Sequence, residues 1–127
     1  IDYFTPNETE ASFYVNHPVE THDDASKAAK TLLDMGIKNV IITLGEKGAY
    51  FANANERFSS PIANLSNPVV DTTGAGDAFN AGFATALTEG QNIRDAIAFA
   101  SAAAGLSTTK IGTANSMPSR EEIDKIL

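Results

Sequence analysis

The segment DTTGAGDAFNAG at residues 71–82 constrains the fold more than any other part of this sequence, because it places a glycine-rich turn between an apolar run and a helical pattern. Val69 and Val70 precede it, and small and apolar residues then recur at the 3.6-residue helical period as far as Leu87. Backbone N–H groups at a helix start carry partial positive charge, and glycines let the main chain approach an anion closely. Asp77, in the predicted first turn, has the position of a base beside a bound phosphate. The segment therefore predicts phosphate handling.

A purely conformational role for this turn stays open. Strand-turn-helix junctions often contain glycine for its backbone freedom alone. Asp77 is then an acidic residue well placed in a helical first turn, and Asp71 ends a strand or caps the turn. The turn is neither a Walker-type loop nor a dinucleotide fingerprint, because it lacks a lysine and a third glycine at the required spacing. A phosphoryl group held here would depend on neutral backbone dipoles.

Helical and strand patterns alternate along the chain and predict an α/β architecture. A helical face at residues 21–35, with Thr21 or Asp23 as its cap and Gly36 past its end, precedes a β-branched run at 39–44 that is typical of a strand buried on both faces. The remaining strand predictions are a turn at 45–48 with a hairpin strand at 49–52, and a short strand near Arg57 and Phe58. Three helices are predicted after them: one at 75–87, an alanine-rich one at about 93–108, and a last one opened by a capping box at 119–122. The small surface of the alanine-rich helix allows close approach by another helix or by a flat ligand.

The charge of the chain limits the partners it can bind. Nine basic against sixteen acidic residues give a net charge of -7, which disfavours nucleic acid and anionic membranes. A phosphate would be attracted by backbone N–H groups and bound cations instead. The absence of cysteine excludes disulfides and zinc-thiolate sites, and no apolar run approaches the roughly 20 residues of a membrane span. We expect no membrane partner and, with no secretory signal visible, a cytoplasmic location.

Two histidines and a short aromatic stretch carry no predicted chemistry. His17 and His22 have no partner at metal-ligand spacing, and we interpret them as exposed loop residues. Phe13, Tyr14 and Val15 are interpreted as local packing groups.

The chain resembles the ribokinase-like (PfkB) carbohydrate kinases in four stretches. Residues 71–82 match the family's C-terminal signature without a mismatch, and residues 5–11, 42–48 and 110–122 agree with it in the same order. The resemblance implies a three-layer α/β/α sandwich of the ribokinase-like type, of which residues 1–127 are the C-terminal nucleotide-binding part. The N-terminal sugar-binding part and the lid would lie outside this chain. Because the sequence begins with Ile1 and reaches Asn7 without a preceding strand, we expect a cut inside a longer polypeptide.

The resemblance also implies catalytic roles for the glycine turn. Asp77 would be the general base that takes a proton from the sugar hydroxyl. The N–H groups of Gly74, Ala75 and Gly76 would form the anion hole for the γ-phosphate. Positioning dominates in a loose phosphoryl-transfer transition state, so the base need not be strong.

Nucleotide and magnesium ligands are implied by two further motifs. Asn7 and Glu10 match the family's N-x-x-E motif, which is associated with magnesium and the nucleotide phosphates, and hard oxygen ligands suit that cation. From the residues alone, this pair is also an ordinary capping-box variant. Without the resemblance, the other implied nucleotide residues would be assigned to a hairpin turn and a helix surface. These residues are Thr43, Gly45, Gly48, Gly76 and Ser101.

A potassium site beside the anion hole is the last implication. Most of its ligands would be backbone carbonyls, and a C-terminal loop that closes over a helix end is an equally open interpretation. The matching residues are Asp71, Thr73, Ser107, Lys110, Gly112 and Ser116.

The expected activity is the phosphorylation of ribose by ATP to ribose 5-phosphate, with magnesium required and potassium activating. Another acceptor, such as fructose, a nucleoside or a keto-sugar acid, stays open because the acceptor site would lie upstream. A non-catalytic nucleotide-binding module is a second alternative. We expect ATP and a sugar as partners, a homodimer as one hypothesis for the full-length protein, and an inactive fragment, since nothing would hold the acceptor near Asp77.

Overall fold

A four-stranded sheet forms the centre of the first of two units into which the chain divides, Ile1–Pro61 and Ile62–Leu127. The computed structural model describes residues 3–61, 75–107 and 120–126. The strands follow the order β1-β2-β3-β4, with β1 and β2 parallel and the other two pairs antiparallel. Their bounds are β1 Tyr3–Phe4, β2 Asn39–Thr43, β3 Ala49–Asn53 and β4 Arg57–Ser60, which confirms the predicted hairpin and the short strand after it.

The prediction that no strand precedes Asn7 is wrong. The two residues of β1 pair in parallel with Asn39 and Val40. So short a strand has no room for an alternating pattern, and only its pairing with a segment more than thirty residues later defines it.

Two helices complete the first unit, α1 (Glu8–Val15) and α2 (His22–Asp34). Helix α2 packs against β2 and β3, and its Leu32 lies fully buried with Val40 and Ile42 in one apolar cluster. Ile41 points to the opposite face of the sheet, because side chains alternate along a strand, and it is equally buried. The strand is thus buried on both faces, as predicted.

The start of α2 is held by a capping box. Thr21 Oγ1 accepts a hydrogen bond from the Asp24 N–H at 3.1 Å. The Asp24 carboxylate in turn accepts from the N–H groups of Glu20 at 3.1 Å and Thr21 at 3.3 Å. These bonds favour the ionised carboxylate, and the one from Glu20 is the largest cause of the lowered pKa of Asp24. Of the two predicted caps, Thr21 is therefore the right one.

The second unit contains three described helices: α3 (Ala75–Thr88), α4 (Ile93–Ser107) and α5 (Arg120–Ile126). The predicted bounds of α3 and α4 are confirmed within one residue. Helices α3 and α4 pack closely at Gly82, where an added Cβ would lie 3.1 Å from the Ala103 Cβ and 3.2 Å from the Ala100 Cα. The small surface predicted for α4 therefore serves the approach of another helix.

Arg120 fixes α5 to its neighbours. Its Nη1 donates to both carboxylate oxygens of Glu89, at 2.7 and 2.5 Å, and its Nε donates to Asp124 at 3.1 Å. The guanidinium carbon lies 4.7 Å from the centre of the Phe99 ring. The bonds that Arg120 donates to Glu89, and next the bond that it donates to Asp124, raise the pKa of Arg120. The predicted cap at Ser119 lies outside the described residues.

In the described part of the chain, no helix combines the length and the apolar character that crossing a membrane requires.

Candidate functional site

The carboxyl ends of β1 and β2 bring two predicted nucleotide residues together. The chain leaves β1 through Pro6 to Asn7, and β2 ends at Thr43. The Thr43 N–H donates to the Pro6 carbonyl at 3.0 Å, and Asn7 and Thr43 form an isolated parallel bridge. Ligands of α/β proteins bind outside the carboxyl ends of parallel strands, so Asn7 and Thr43 occupy the expected edge of the sheet.

Asn7 and Glu10 form the capping box that the sequence left as an alternative. Asn7 Oδ1 accepts from the Glu10 N–H at 2.8 Å, and Glu10 Oε1 accepts from the Asn7 N–H at 2.9 Å. Both residues are exposed. A carboxylate has about four acceptor positions on its two oxygens, so capping leaves Glu10 with capacity for a cation or a water molecule.

A turn with glycine at each end follows β2. It comprises a single 3₁₀ turn at Gly45–Lys47, closed by a bond from the Leu44 N–H to the Gly48 carbonyl at 2.7 Å. Gly45 has φ +57° and Gly48 has φ +90°, backbone conformations that side chains with a Cβ rarely adopt. An added Cβ at Gly45 would lie 3.6 Å from Glu8 Oε1. The structure therefore places Gly45, one of the predicted nucleotide residues of this turn, beside the start of α1.

His22 connects this turn to the start of α2, and sequence reasoning missed it. Its Nε2 lies 2.9 Å from the Lys47 carbonyl oxygen, and its Nδ1 lies 3.0 Å from Ser59 Oγ. The Lys47 ammonium donates to the Glu20 carbonyl at 2.6 Å. The interpretation of His22 as an exposed loop residue is wrong, because it is the first residue of α2 and is half-buried. Its partners lie 25 and 37 positions along the chain, beyond the reach of any local pattern.

His17 and the aromatic residues Phe13 and Tyr14 are also interpreted as structural, and they differ in how far they are packed. His17 lies in the loop, as predicted, but is half-buried rather than exposed, with Nδ1 3.0 Å from the Pro18 carbonyl. Tyr14 contacts the rings of Phe4 and Phe13 edge-on, at 5.3 and 5.6 Å between centroids. Phe13 nevertheless remains 79% exposed, so its packing is confined to this contact.

In the second unit, three predicted catalytic residues occupy the first turn of α3. Ala75, Gly76 and Asp77 open the helix, and Asp77 is exposed. A Cβ added at Gly76 would meet no described atom within 4 Å. The first N–H groups of any helix have no intrahelical partner, which gives this turn the donors that an anion requires.

Ser101 and Ser107 lie on α4. Ser101 is half-buried, whereas Ser107 is buried and its Oγ donates to the Ala104 carbonyl at 2.7 Å. The last carbonyls of a helix have no intrahelical donor, so the end of α4 can offer backbone oxygens of the kind predicted for the cation ligands. The remaining predicted residues lie outside the described part of the chain: Asp71, Thr73, Gly74, Lys110, Gly112 and Ser116.

Among the described residues, no three His, Cys, Asp or Glu side chains come together in a metal-binding group. Asn7 and Glu10 can supply oxygen ligands of the type that magnesium prefers. Magnesium usually keeps several waters and is bound by one or two carboxylates together with substrate phosphates. The exposed Asn7–Glu10 pair fits that mode of binding rather than an all-protein cage.

Three comparisons place this geometry among known proteins. The chain is 44% identical over 122 residues to the ribokinase of Haemophilus influenzae, covering 96% of this chain and 39% of that protein. The structure of Arabidopsis thaliana ribokinase with ribose and ATP matches with a TM-score of 0.92 and 39% identity, covering 99% of this chain and 40% of that one. Phosphofructokinase-2 of Escherichia coli, in complex with potassium, matches with a TM-score of 0.86 and 28% identity over 99% of this chain and 40% of that one.

These matches confirm the predicted ribokinase-like α/β fold. The chain spans about 40% of the length of the relatives that it matches. The family model described as pfkB family carbohydrate kinase matches residues 1–120. The chain therefore belongs to the pfkB family of carbohydrate kinases.

Proposed function

We propose that this chain is the nucleotide-binding part of an ATP-dependent sugar kinase whose acceptor is ribose and whose products are ADP and ribose 5-phosphate. Family membership supports the kinase, and the 44% identity to a ribokinase supports the acceptor. The similar structure that holds both ribose and ATP supports the pair of substrates.

The observation that carries the proposal is the exposed Asp77 in the first turn of α3, directly after Gly76. In the proposed reaction, the sugar hydroxyl attacks the γ-phosphorus of ATP in line with the departing ADP. The Asp77 carboxylate accepts the hydroxyl proton as the new P–O bond forms. The N–H groups of Gly74, Ala75 and Gly76 stabilise the charge on the transferred group, and one such donor typically contributes a few kcal/mol.

Unit Ile1–Pro61 would bind the nucleotide at the ends of β1 and β2. Thr43 and the turn at Gly45–Lys47 lie at this edge, with Asn7 beside Thr43. Glu10 and Asn7 would hold magnesium, directly or through water. When bound, the ion neutralises charge on the nucleotide phosphates. Such neutralisation matters in a chain of net charge -7 with Glu8 and Glu10 in the first turn of α1.

We also propose that a potassium ion binds near the anion hole. Ser107 is the single predicted ligand inside the described residues, and its place at the C-terminal end of α4 suits a backbone carbonyl ligand. The relative that binds potassium, phosphofructokinase-2, supports the same family-wide expectation. We expect potassium to strengthen Mg-ATP binding by the chain relative to tetramethylammonium.

The test is Asp77→Asn in the polypeptide that the gene encodes, assayed by coupled detection of ADP. We expect kcat to fall by about 10²–10⁴, the usual contribution of a positioned general base, with Mg-ATP affinity retained. Asp95→Asn is the matched control, because Asp95 is also an exposed acid in the first turn of a helix. Undiminished turnover in Asp77→Asn would refute the kinase mechanism. Ribose, 2-deoxyribose and fructose compared as acceptors test the choice of sugar separately.

A further inference from the structure

We propose that His22 is a positioning residue for the turn at Gly45–Lys47 and thereby sets the affinity for the nucleotide. This inference rests on the proposed function, because it assumes that the turn binds ATP. His22 itself is assigned no contact with the ligand. Its role is to fix the backbone to which the nucleotide binds.

The hydrogen bonds of the imidazole define its orientation. A carbonyl oxygen only accepts, so His22 Nε2 carries the proton that it donates to the Lys47 carbonyl at 2.9 Å. In the neutral ring Nδ1 is then the acceptor for the Ser59 hydroxyl at 3.0 Å. In the charged ring Nδ1 donates to Ser59 Oγ instead. Both contacts therefore survive protonation, and the ring acts as a fixed connector in either charge state.

The turn needs an external connection because its own residues restrain it weakly. Gly45 and Gly48 flank it, and glycine loses more backbone freedom on ordering than any other residue. Within the turn, the Lys47 N–H donates to the Leu44 carbonyl at 3.0 Å, and the Gly48 N–H donates to the Gly45 carbonyl at 3.1 Å. At its base the Leu44 N–H donates to the Gly48 carbonyl at 2.7 Å, a bond that closes the turn but does not connect it to another element. These are short-range bonds at an exposed surface. A ligand that binds here would otherwise have to order the turn at a cost in affinity.

Helix α2, to which His22 belongs, is well anchored in the first unit. The capping box of Thr21 and Asp24 holds the first turn of α2, and the buried Ala25, Ala28 and Leu32 fix the helix in the apolar cluster of the unit. His22 transmits this anchoring to the carbonyl of Lys47. The bond from the Lys47 ammonium to the Glu20 carbonyl, at 2.6 Å, ties the same turn to the same helix start a second time. The turn thus has one connection to α2 through His22, one to Glu20 just before that helix and, through Ser59, an indirect one to β4.

The experiment compares His22→Ala, His22→Gln and His17→Ala by calorimetric titration of the 127-residue chain with Mg-ATP. The loss of one or two hydrogen bonds predicts an increase in Kd of about three- to tenfold for His22→Ala. His22→Gln keeps a donor that can reach the Lys47 carbonyl, so it should recover most of the affinity. His17→Ala is the matched control, since among the described residues His17 bonds to the neighbouring Pro18 carbonyl in the loop and not to the turn.

Two further measurements keep the outcome decisive. In the gene-encoded enzyme, His22→Ala should raise KM for ATP while kcat and KM for the sugar stay within about twofold, a split that general destabilisation does not produce. Amide hydrogen exchange at Lys47 and Gly48 should accelerate in His22→Ala without a change in the buried strands. Ser59→Ala, which removes one partner and leaves the ring in place, should show a smaller effect in the same direction, and it serves if His22→Ala does not fold.

Unchanged Mg-ATP affinity in His22→Ala, with a parent chain that binds, would overturn the positioning role and leave the proposed function intact. A folded parent chain that binds no Mg-ATP would refute the nucleotide site itself and this inference with it. The two failures are distinguished by the parent titration alone.

Discussion

The contact between α3 and α4 at Gly82 predicts that Gly82→Ala destabilises the second unit, although alanine is the better helix former. A Cβ at this position would lie 3.1 Å from the Ala103 Cβ, 3.2 Å from the Ala100 Cα and 3.6 Å from the Phe99 Cδ1. The first two distances are shorter than ordinary carbon contacts of about 3.5–4.0 Å. Ala100 contributes a backbone atom there, so no rotamer change relieves the contact and the helices themselves must separate.

Two opposing effects determine the magnitude. Replacing glycine by alanine in a helix interior favours folding by about 1 kcal/mol. Inserting a methyl group into a well-packed contact costs about 1–3 kcal/mol. Because one of the tight contacts is to main chain, we expect the cost to lie in the upper part of that range and the net loss to be about 1–2 kcal/mol. Gly82→Val should cost more, since it adds two methyl groups at the same point.

The assay is urea unfolding followed by far-UV circular dichroism, with amide hydrogen exchange in α3 and α4 to localise the change to this unit. Gly76→Ala is the matched control in the same helix, where an added Cβ meets no described atom within 4 Å, and it should stabilise by up to about 1 kcal/mol. Ala103→Gly should rescue Gly82→Ala in part, with a coupling of about 0.5–3 kcal/mol in the double-mutant cycle. If Gly82→Ala stabilises as much as Gly76→Ala does, the close approach of the helices does not govern stability and the reasoning fails.

Three other substitutions test different parts of the structure. Leu32→Ala removes a fully buried side chain and should lower the free energy of unfolding in urea by about 2–5 kcal/mol. Met35→Ala, at a position 61% exposed, should lower it little, and equal losses in the two variants would contradict the assignment of Leu32 to the core. Asp24→Asn should destabilise at pH 7. The difference from the parent should shrink as pH falls below the ordinary carboxyl pKa of 3.8 and vanish below the lowered pKa of folded Asp24, because a depressed carboxyl pKa stabilises the fold fully only above its unfolded value. A series of urea midpoints from pH 7 downward tests this, and a difference that does not change across the series would contradict it. Arg120→Lys keeps the charge, but a single ammonium cannot reproduce both the bonds from Nη1 to Glu89 and the bond from Nε to Asp124, so amide exchange in α5 should accelerate. Unchanged exchange would mean that these bonds do not hold the helix.

Local patterns in the sequence were sufficient to predict most of the described elements. The β-branched run of β2 and the helical period of α3 depend on residues that are neighbours in the chain, and Thr21 caps α2 through a bond to Asp24 three residues away. Each of these signals is short-range, and each is confirmed. Strand β1 could not be predicted in this way, because its identity depends on pairing with Asn39 and Val40.

In the candidate site, too, short-range motifs could be predicted from the sequence and long-range contacts could not. The family resemblance selected Asn7 and Thr43 as separate motif positions, and the structure adds that they meet in a parallel bridge at one edge of the sheet. His22 carries no motif and was assigned to a loop, because its bonds to Lys47 and Ser59 exist only once the chain is folded. Long-range polar contacts of this kind leave no periodic trace in a sequence.

The two helix starts that carry candidate residues differ in what they can bind, and this difference supports a division of roles. At α1, the side chains of Asn7 and Glu10 already bond to backbone N–H groups, and Glu8 adds a second acid to the first turn. A bare phosphate is disfavoured there, whereas a cation already associated with phosphates is favoured by the same oxygens. At α3, the first turn contains Gly76, where an added Cβ would meet no atom of the described residues within 4 Å, so among those residues nothing blocks the approach of an anion to the backbone. The start of α1 therefore suits a cation, whereas the start of α3 suits an anion held by backbone dipoles.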